Sequence, residues 1–200
     1  MTYSFMNKAI AMALYEALTE DPFYITLEKK SATDPAAAKK AMLRYLDYSM
    51  QEARTHGELC LAKDLAHGAS LWSKPVDPAL GWQISKEKKQ FLLNHLGMES
   101  LDTYCQIVDF MSEESRQVVS ETFWYLSILG ISPNLQGKGL GLDLVLPVLK
   151  KTDEIGVATY LETFTPKNFG FYKRLGFYEA KTVHEPVTCS DYTIMVREAK

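Results

Sequence analysis

The sequence is poor in the features that would place a chain in a membrane, in a disulfide framework or against nucleic acid. No apolar run approaches the ~18–20 residues that a membrane span requires. Met1 to Lys8 lacks the basic-then-apolar plan of a secretory signal. Cysteine is scarce: Cys60, Cys105 and Cys189 are odd in number and far apart, and neither they nor the histidines have zinc-site spacing. Positive charge is not in excess either. Lys and Arg total 22 against 25 Asp and Glu, a formal net charge of -3, and the two signs are interspersed, so no basic stripe is offered to a phosphate backbone. No segment repeats and none is of low complexity. The expectation is a cytoplasmic protein with reduced cysteines and no nucleic-acid, membrane or metal partner.

What is present is a globular balance, 46% hydrophobic and 24% charged, that argues against disorder. The 200 residues have room for one sizeable core, so 1–200 reads as a single domain. Met6–Thr19 carries Ile10, Leu14 and Leu18 at four-residue spacing and reads as a helix. Asp34-Pro35 supplies the cap and first residue of a second helix, which runs through Tyr45 to about His56 and ends at Gly57. Glu58–Ala62 and Gly68–Trp72 read as strands joined by a turn at Asp64–His67. Ser85–Ser120 reads as two helices. Phe123–Leu129 is nearly all apolar, as expected of a strand buried on both faces. Gly137–Lys151 is a helix entered through glycines, with Pro147 expected to kink it. Val157–Thr163 reads as a strand, and Asn168–Leu175 as a short helix closed by Gly176. Phe177–Val183 and Tyr192–Val196 form a terminal hairpin. This order predicts an α/β domain with a mixed sheet.

Leu129-Gly-Ile-Ser-Pro-Asn-Leu-Gln-Gly-Lys-Gly-Leu-Gly-Leu142 is the most informative stretch. A strand ends near Pro133, and glycines 137, 139 and 141 lead directly into a helix. Glycine lets a ligand approach the backbone closely. The first amides of a helix lack internal partners and lie at the positive end of its dipole, so a diphosphate is the natural occupant. The loop is not a P-loop, because Lys138 is followed by Gly139. Nor is it the dinucleotide fingerprint, because the third glycine comes one residue early.

The spacing Gln136-x-x-Gly139-x-Gly141 resembles the pyrophosphate signature, Arg/Gln-x-x-Gly-x-Gly/Ala, of the GNAT N-acetyltransferases. The likeness extends over Trp124 to Glu198, where Val145-Leu-Pro147, Leu161-Glu-Thr163 and Phe171-Tyr-x-x-Leu-Gly-Phe177 are similar to the puromycin N-acetyltransferase family. Leu71-Trp72 followed by Pro75 is similar too, whereas residues 1–120 otherwise match weakly. The resemblance implies a GNAT fold, a mixed central sheet flanked by helices, here with a shortened first strand because a helix begins almost at Met6. A second subunit, in a homodimer, is one way to complete that edge. Residues 1–120 would supply acceptor-side helices and early strands, and 121–200 the acetyl-CoA-binding core. Acetyl-CoA is the implied acyl donor, with no metal. Backbone groups of Leu129 and Ile131 would pair with its pantetheine arm, beside a bulge at Gly130 where the central strands splay. The amides of Gly137, Lys138, Gly139, Leu140, Gly141 and Leu142 would hold the diphosphate, with Gln136 in the signature and Asn168 as a further contact. The Lys138 side chain either adds charge there or is simply solvated. Thr165 stands where many members have Asn, which weakens one donor-side contact.

The resemblance also implies direct transfer to an amine in a ternary complex, with a tyrosine on the helix after the second central strand protonating the departing thiolate. Tyr172 holds that position, and an ordinary phenol is close in acidity to a thiol. Glu162 is a carboxylate within an apolar strand, a placement that needs a partner or a wet cavity. It is a candidate base, an anchor for the amine's charge, or a structural partner of a Lys or Arg. As a base, its replacement by Gln would slow the reaction mainly at low pH. Tyr125 and Ser127 share a strand face that points at the acceptor in relatives, and His184 reads as exposed. A small-molecule primary amine is the leading acceptor. The alternatives are a protein or peptide N-acetyltransferase and a CoA-binding regulator without turnover.

Overall fold

The computed structural model describes residues 3–62 and 67–200. The turn expected at Asp64–His67 therefore lies, apart from His67, outside the described residues. The elements in chain order are α1 (Lys8–Ala17), α2 (Pro22–Ser31), α3 (Pro35–His56), β1 (Glu58–Leu61), β2 (Gly68–Ser73), α4 (Pro78–Leu96), α5 (Met98–Ser115) and β3 (Trp124–Ile131). After these come α6 (Leu140–Glu154), β4 (Thr159–Thr163), α7 (Phe169–Arg174), β5 (Tyr178–Glu185) and β6 (Ser190–Arg197). Among the described residues the six strands form one mixed sheet in the order β1-β2-β3-β4-β6-β5, with β3 and β4 parallel and the other neighbours antiparallel.

One device opens three of the helices. Asp21-Pro22, Asp34-Pro35 and Asp77-Pro78 each place proline at the first helical position and a capping carboxylate before it. Proline's missing N–H costs nothing there, and the carboxylate satisfies amides the helix leaves free. Asp34 accepts from Ala37 N at 2.8 Å, and Asp77 from Ala79 N and Leu80 N at 3.1 Å. The same signal begins α4 at Pro78, well before the Ser85 expected, and begins α2, which the apolar spacing did not show. α6 continues through Pro147 to Glu154.

Three hydrophobic clusters hold helices to the sheet, the smallest through Ile107 and Met111 of α5 against Tyr192 and Ile194 of β6. Another joins α1–α5 to β2 and β3 through Leu14, Leu46, Leu71, Leu92 and Ile128. The third joins α6 and α7 to β3, β4 and β6 through Leu126, Val145, Leu149, Leu161 and Met195. Among the described residues no strand precedes α1. The N-terminal segment is held instead by Asp47, a fully buried carboxylate of α3. Asp47 accepts from Tyr3 OH at 2.9 Å, Met6 N at 3.2 Å, Asn7 N at 2.7 Å, Asn7 Nδ2 at 2.9 Å and Gln51 Nε2 at 2.7 Å. Asp47→Ala strands these donors together, and urea unfolding should show a loss of about 2–4 kcal/mol. A loss below about 1 kcal/mol would mean that water replaces the clamp.

Candidate active site

The site begins where two strands stop pairing. β3 and β4 are matched only from Trp124–Thr159 to Leu126–Leu161, and beyond that point they separate. On its other side β3 stays paired with β2, but Leu71 faces Ile128 while Trp72 faces Leu126, which leaves Ser127 as the extra residue of a bulge. Ser127 Oγ donates to Leu71 O at 3.1 Å. The bulge thus falls at Ser127 and not at Gly130. At Gly130 an added Cβ would lie 2.8 Å from Leu14 Cδ2 and 3.2 Å from Ala17 Cβ, so its smallness lets α1 lie against the strand. From Ile128 to Ile131 the edge of β3 turned from β2 has no strand partner among the described residues. β3 is also not buried on both faces: Tyr125, Ser127 and Leu129 are half-buried between buried neighbours, because they border a cavity.

The glycine loop closes one end of that cavity. Gln136 Nε2 donates to Ile131 O at 2.9 Å, so its side chain braces the loop against the end of β3. Gly137 and Gly139 have φ of +77° and +81°, the left-handed region, and a Cβ on either would meet nothing within 4 Å. Gly139 caps α6, whose first N–H groups face outward from the helix. The third glycine differs: a Cβ at Gly141 would lie 3.3 Å from Phe171 Cζ, a close approach of α6 to α7. Leu142 N–H is already taken by Gly139 O at 2.9 Å. Leu129 to Ile131, Gln136, Gly137, Gly139 to Leu142 and Asn168 all border the cavity, and Lys138 does not. An unpaired strand edge leading to open space beside left-handed glycines at a helix N-terminus fits an extended pantetheine arm ending in a diphosphate.

The cavity measures about 880 Å³ and runs from the loop to a chamber walled by helices. Each helix offers one stripe: Tyr45, Ser49, Glu52 and His56 from α3, Ile84 and Lys88 from α4, and Tyr104, Val108, Met111 and Ser115 from α5. These spacings of three and four residues mark single helical faces. Trp124, which precedes Tyr125 on β3, is buried on the other side of the sheet with Lys74 and Lys151 Nζ at 4.8 and 5.7 Å from its ring.

Tyr125, Glu162 and Tyr172 share this cavity. The rings of Tyr125 and Tyr160 stack at 4.7 Å. Glu162 lies one residue past the last β3–β4 pair, and its shielded Oε1 has no hydrogen-bond partner. Burial pushes its carboxyl up to about 7, with the Tyr125 hydroxyl only partly opposing the shift. Tyr172 is wedged edge-on between Phe171 and Phe177, at 5.4 and 6.1 Å. Burial first, and then Asp21, raise its pKa well above the ordinary tyrosine value. The phenol is therefore a weaker acid than the near-match to a thiol expected from its residue type, and it stays protonated at neutral pH. Asp21 itself rises to about 6, because burial outweighs the Phe23 and Tyr24 amides that stabilise its charge. His184 is exposed and pairs with Asp191 at 2.8 Å.

Sequence reasoning missed Tyr24, Tyr45, Glu52, Lys88 and Tyr104, which also border the cavity. The available signal was the recurrence of polar residues on the stripes that α3 and α5 turn inward.

Residues 103–177 match the model of the Acetyltransferase (GNAT) family, a span that includes β3, the glycine loop, α6, β4 and α7. An uncharacterised N-acetyltransferase of Schizosaccharomyces pombe is 25% identical over 182 residues, covering 88% of this chain and 72% of that protein. A solved structure described as histone acetyltransferase HPA2 and related acetyltransferase, from Corynebacterium glutamicum, aligns with a TM-score of 0.63 at 20% identity over 100% of this chain and 94% of that one. The Drosophila melanogaster polyamine N-acetyltransferase that forms N-acetylagmatine aligns with a TM-score of 0.59 at 14% identity over 96% and 93% of the two chains. At these identities the two structures establish a shared fold, a mixed sheet flanked by helices.

Burial of Glu162 has a consequence that needs no knowledge of the reaction. Its carboxyl ionises near the ordinary glutamate value of 4.5 when unfolded and near 7 when folded, so stability present below the first value is lost as pH rises through the second. Glu162→Gln stays neutral throughout. The variant should gain stability over wild type above about pH 7, by up to about 3 kcal/mol, and match it near pH 4. Parallel urea titrations across pH check this, and a constant difference would place Glu162 in contact with water or a cation.

Proposed function

We propose that this chain, an acyl-CoA-dependent acetyltransferase of the GNAT type, moves an acetyl group from acetyl-CoA to the primary amine of a small molecule by direct attack in a ternary complex. The observation that carries the small-molecule reading is the enclosure of the cavity by α3, α4 and α5. The chamber those helices wall suits a small acceptor, which a pocket buries over most of its surface, whereas a peptide acceptor calls for an open groove. The polyamine acceptor of the Drosophila enzyme supports the same reading. Free, half-buried Cys60 and Cys105 suit a reducing compartment, and we place the enzyme in the cytoplasm.

Acetyl-CoA supplies an activated thioester carbonyl. The protein's part is orientation and proton management. The unpaired backbone at Leu129 and Ile131 aligns the pantetheine arm as an added strand would. The amides from Gly137 to Gly141 and the α6 dipole hold the diphosphate, while Gln136 fixes the loop and Asn168 adds a contact. Tyr125 and Ser127 border the acceptor. An amine reaches the site as an ammonium and must lose a proton to become a nucleophile. Glu162, unpaired at Oε1 and titrating near neutrality, accepts that proton directly or through a water molecule. Tyr172 gives its proton to the departing sulfur, and packing between Phe171 and Phe177 keeps its hydroxyl aimed.

A thiol-release screen of acetyl-CoA against small amines and peptides tests the acceptor class, and release with peptides alone would overturn it. With any accepted amine, Tyr172→Phe should lower kcat by roughly 10²–10⁴ while CoA still raises the melting temperature as in wild type. Wild-type turnover by this variant would falsify the assigned acid.

The shifted carboxyl also reverses the pH effect expected from residue type. Glu162 is already protonated in wild type below about 7, and Gln mimics that form. The rate deficit of Glu162→Gln should therefore open as pH rises through 7 and close below about pH 6. An unchanged pH–rate profile would leave Glu162 with a structural role.

A further inference from the structure

The cavity contains a second carboxylate that the chemistry above leaves unused. Glu52 Oε2 of α3 pairs with Lys88 Nζ of α4 at 2.6 Å, and the two side chains are only 19% and 17% exposed. Glu52 Oε1 is shielded and has no hydrogen-bond partner. Ser49 Oγ, one turn earlier on the same stripe, is in the same state, and Ser49 is only 5% exposed. Lys88 has three donors, of which Glu52 takes one. Its Nζ lies 5.8 Å from the Tyr45 ring, and the Tyr45 and Tyr104 rings lie 6.4 Å apart beside it. All five residues border the cavity. Desolvating two charges for one contact is costly unless further hydrogen bonds satisfy what remains. Here an unpaired acceptor oxygen and spare ammonium donors stand side by side in the acceptor chamber.

Resting on the small-amine reading, we propose that the Glu52–Lys88 pair selects acceptors that carry, besides the reacting amine, an uncharged group able both to donate and to accept a hydrogen bond, such as a hydroxyl or a carboxamide. The charges of the pair largely cancel. A second ammonium on the acceptor would meet Lys88 as well as Glu52, and a carboxylate would meet Glu52 as well as Lys88. Either would surrender its hydration for little net attraction. A neutral hydroxyl can donate to the Glu52 carboxylate and accept from Lys88 Nζ at once. A bare alkyl chain would leave both unsatisfied, and sites built to hydrogen-bond a group reject analogues that lack it.

Thiol release from acetyl-CoA, followed with matched series of alkylamines, amino alcohols, diamines and ω-amino acids of increasing chain length, tests the proposal. The best amino alcohol should exceed the alkylamine and the diamine of equal length in kcat/KM by about tenfold or more. Lys88→Gln leaves the Glu52 charge uncompensated and should move the preference to diamines. Glu52→Gln leaves Lys88 uncompensated and should move it to ω-amino acids. CoA-dependent thermal stabilisation reports whether each variant folds, and the wild-type ranking decides the matter if neither does. A diamine or alkylamine ranking first in wild type, or an unaltered order in both folded variants, overturns the proposal. Amines accepted without discrimination would defeat this inference alone, whereas turnover of peptides and of no amine would defeat the reading it rests on.

Discussion

The loss of hydrogen bonding between β3 and β4 after Leu126 and Leu161 is the constraint on which the rest of the molecule turns. β4 remains matched to β6 through Glu162–Ile194 and Thr163–Thr193, while β3 follows β2 to Gly68–Ile131. Two strands held by different neighbours must diverge once they let go of each other, and the Ser127 bulge adds local twist at that point. The divergence leaves an edge of backbone without partners, opens the cavity between the strands, and puts Glu162 at the mouth of the opening. Ordinarily such an edge would be a hazard. Inside a cavity lined by helices it is protected from other chains and remains available to an extended ligand.

Burial treats the carboxylates of this chain in opposite ways, and the contrast separates structural from chemical use. Asp47 is wholly buried, yet five donors surround it. Glu162 and Glu52 each keep an oxygen that nothing among the described residues satisfies. Half of the shielded, unpartnered side-chain atoms found among the described residues belong to Ser49, Glu52 and Glu162, all in one cavity. Folding alone gives no reason to concentrate unsatisfied polar atoms in one place. Their gathering where a ligand would complete them indicates that stability has been given up for recognition.

The C-terminal half was legible because its signals are local. The glycines that need left-handed φ, the apolar strand before them and Gly176 after α7 all speak through nearest neighbours. The element order from β3 to β6 followed, with boundaries shifted by a few residues. Asp34-Pro35 was equally plain, and Asp21-Pro22 and Asp77-Pro78 carried the same message without an apolar repeat strong enough to draw attention to it. Other features lay beyond local reading. Gly130 and Gly141 owe their identity to α1 and Phe171, partners distant in the chain. The bulge at Ser127 depends on register with β2, which no single segment encodes. The far wall of the cavity is assembled from α3, α4 and α5, so Glu52 and Lys88 looked like any solvated helix charges until the fold brought them together. The titration of Glu162 and Tyr172 belongs to their surroundings rather than to their residue type, so neither shift could be read from a single segment.

The two margins of the sheet bear on how the protein behaves in a crowd. β1, at one margin, is four residues long. β5, at the other, is broken by a register shift between Glu179 and Lys181 and carries Glu179, Lys181 and His184 along its length. A short strand offers little to copy, and a kinked, charged one repels its own likeness. Neither margin is a good template for a strand from a neighbouring molecule, so the sheet is closed to growth without being closed into a barrel. Such a protein can be concentrated with little risk of ordered β-aggregation, and any lasting contact between copies would fall to its helical faces.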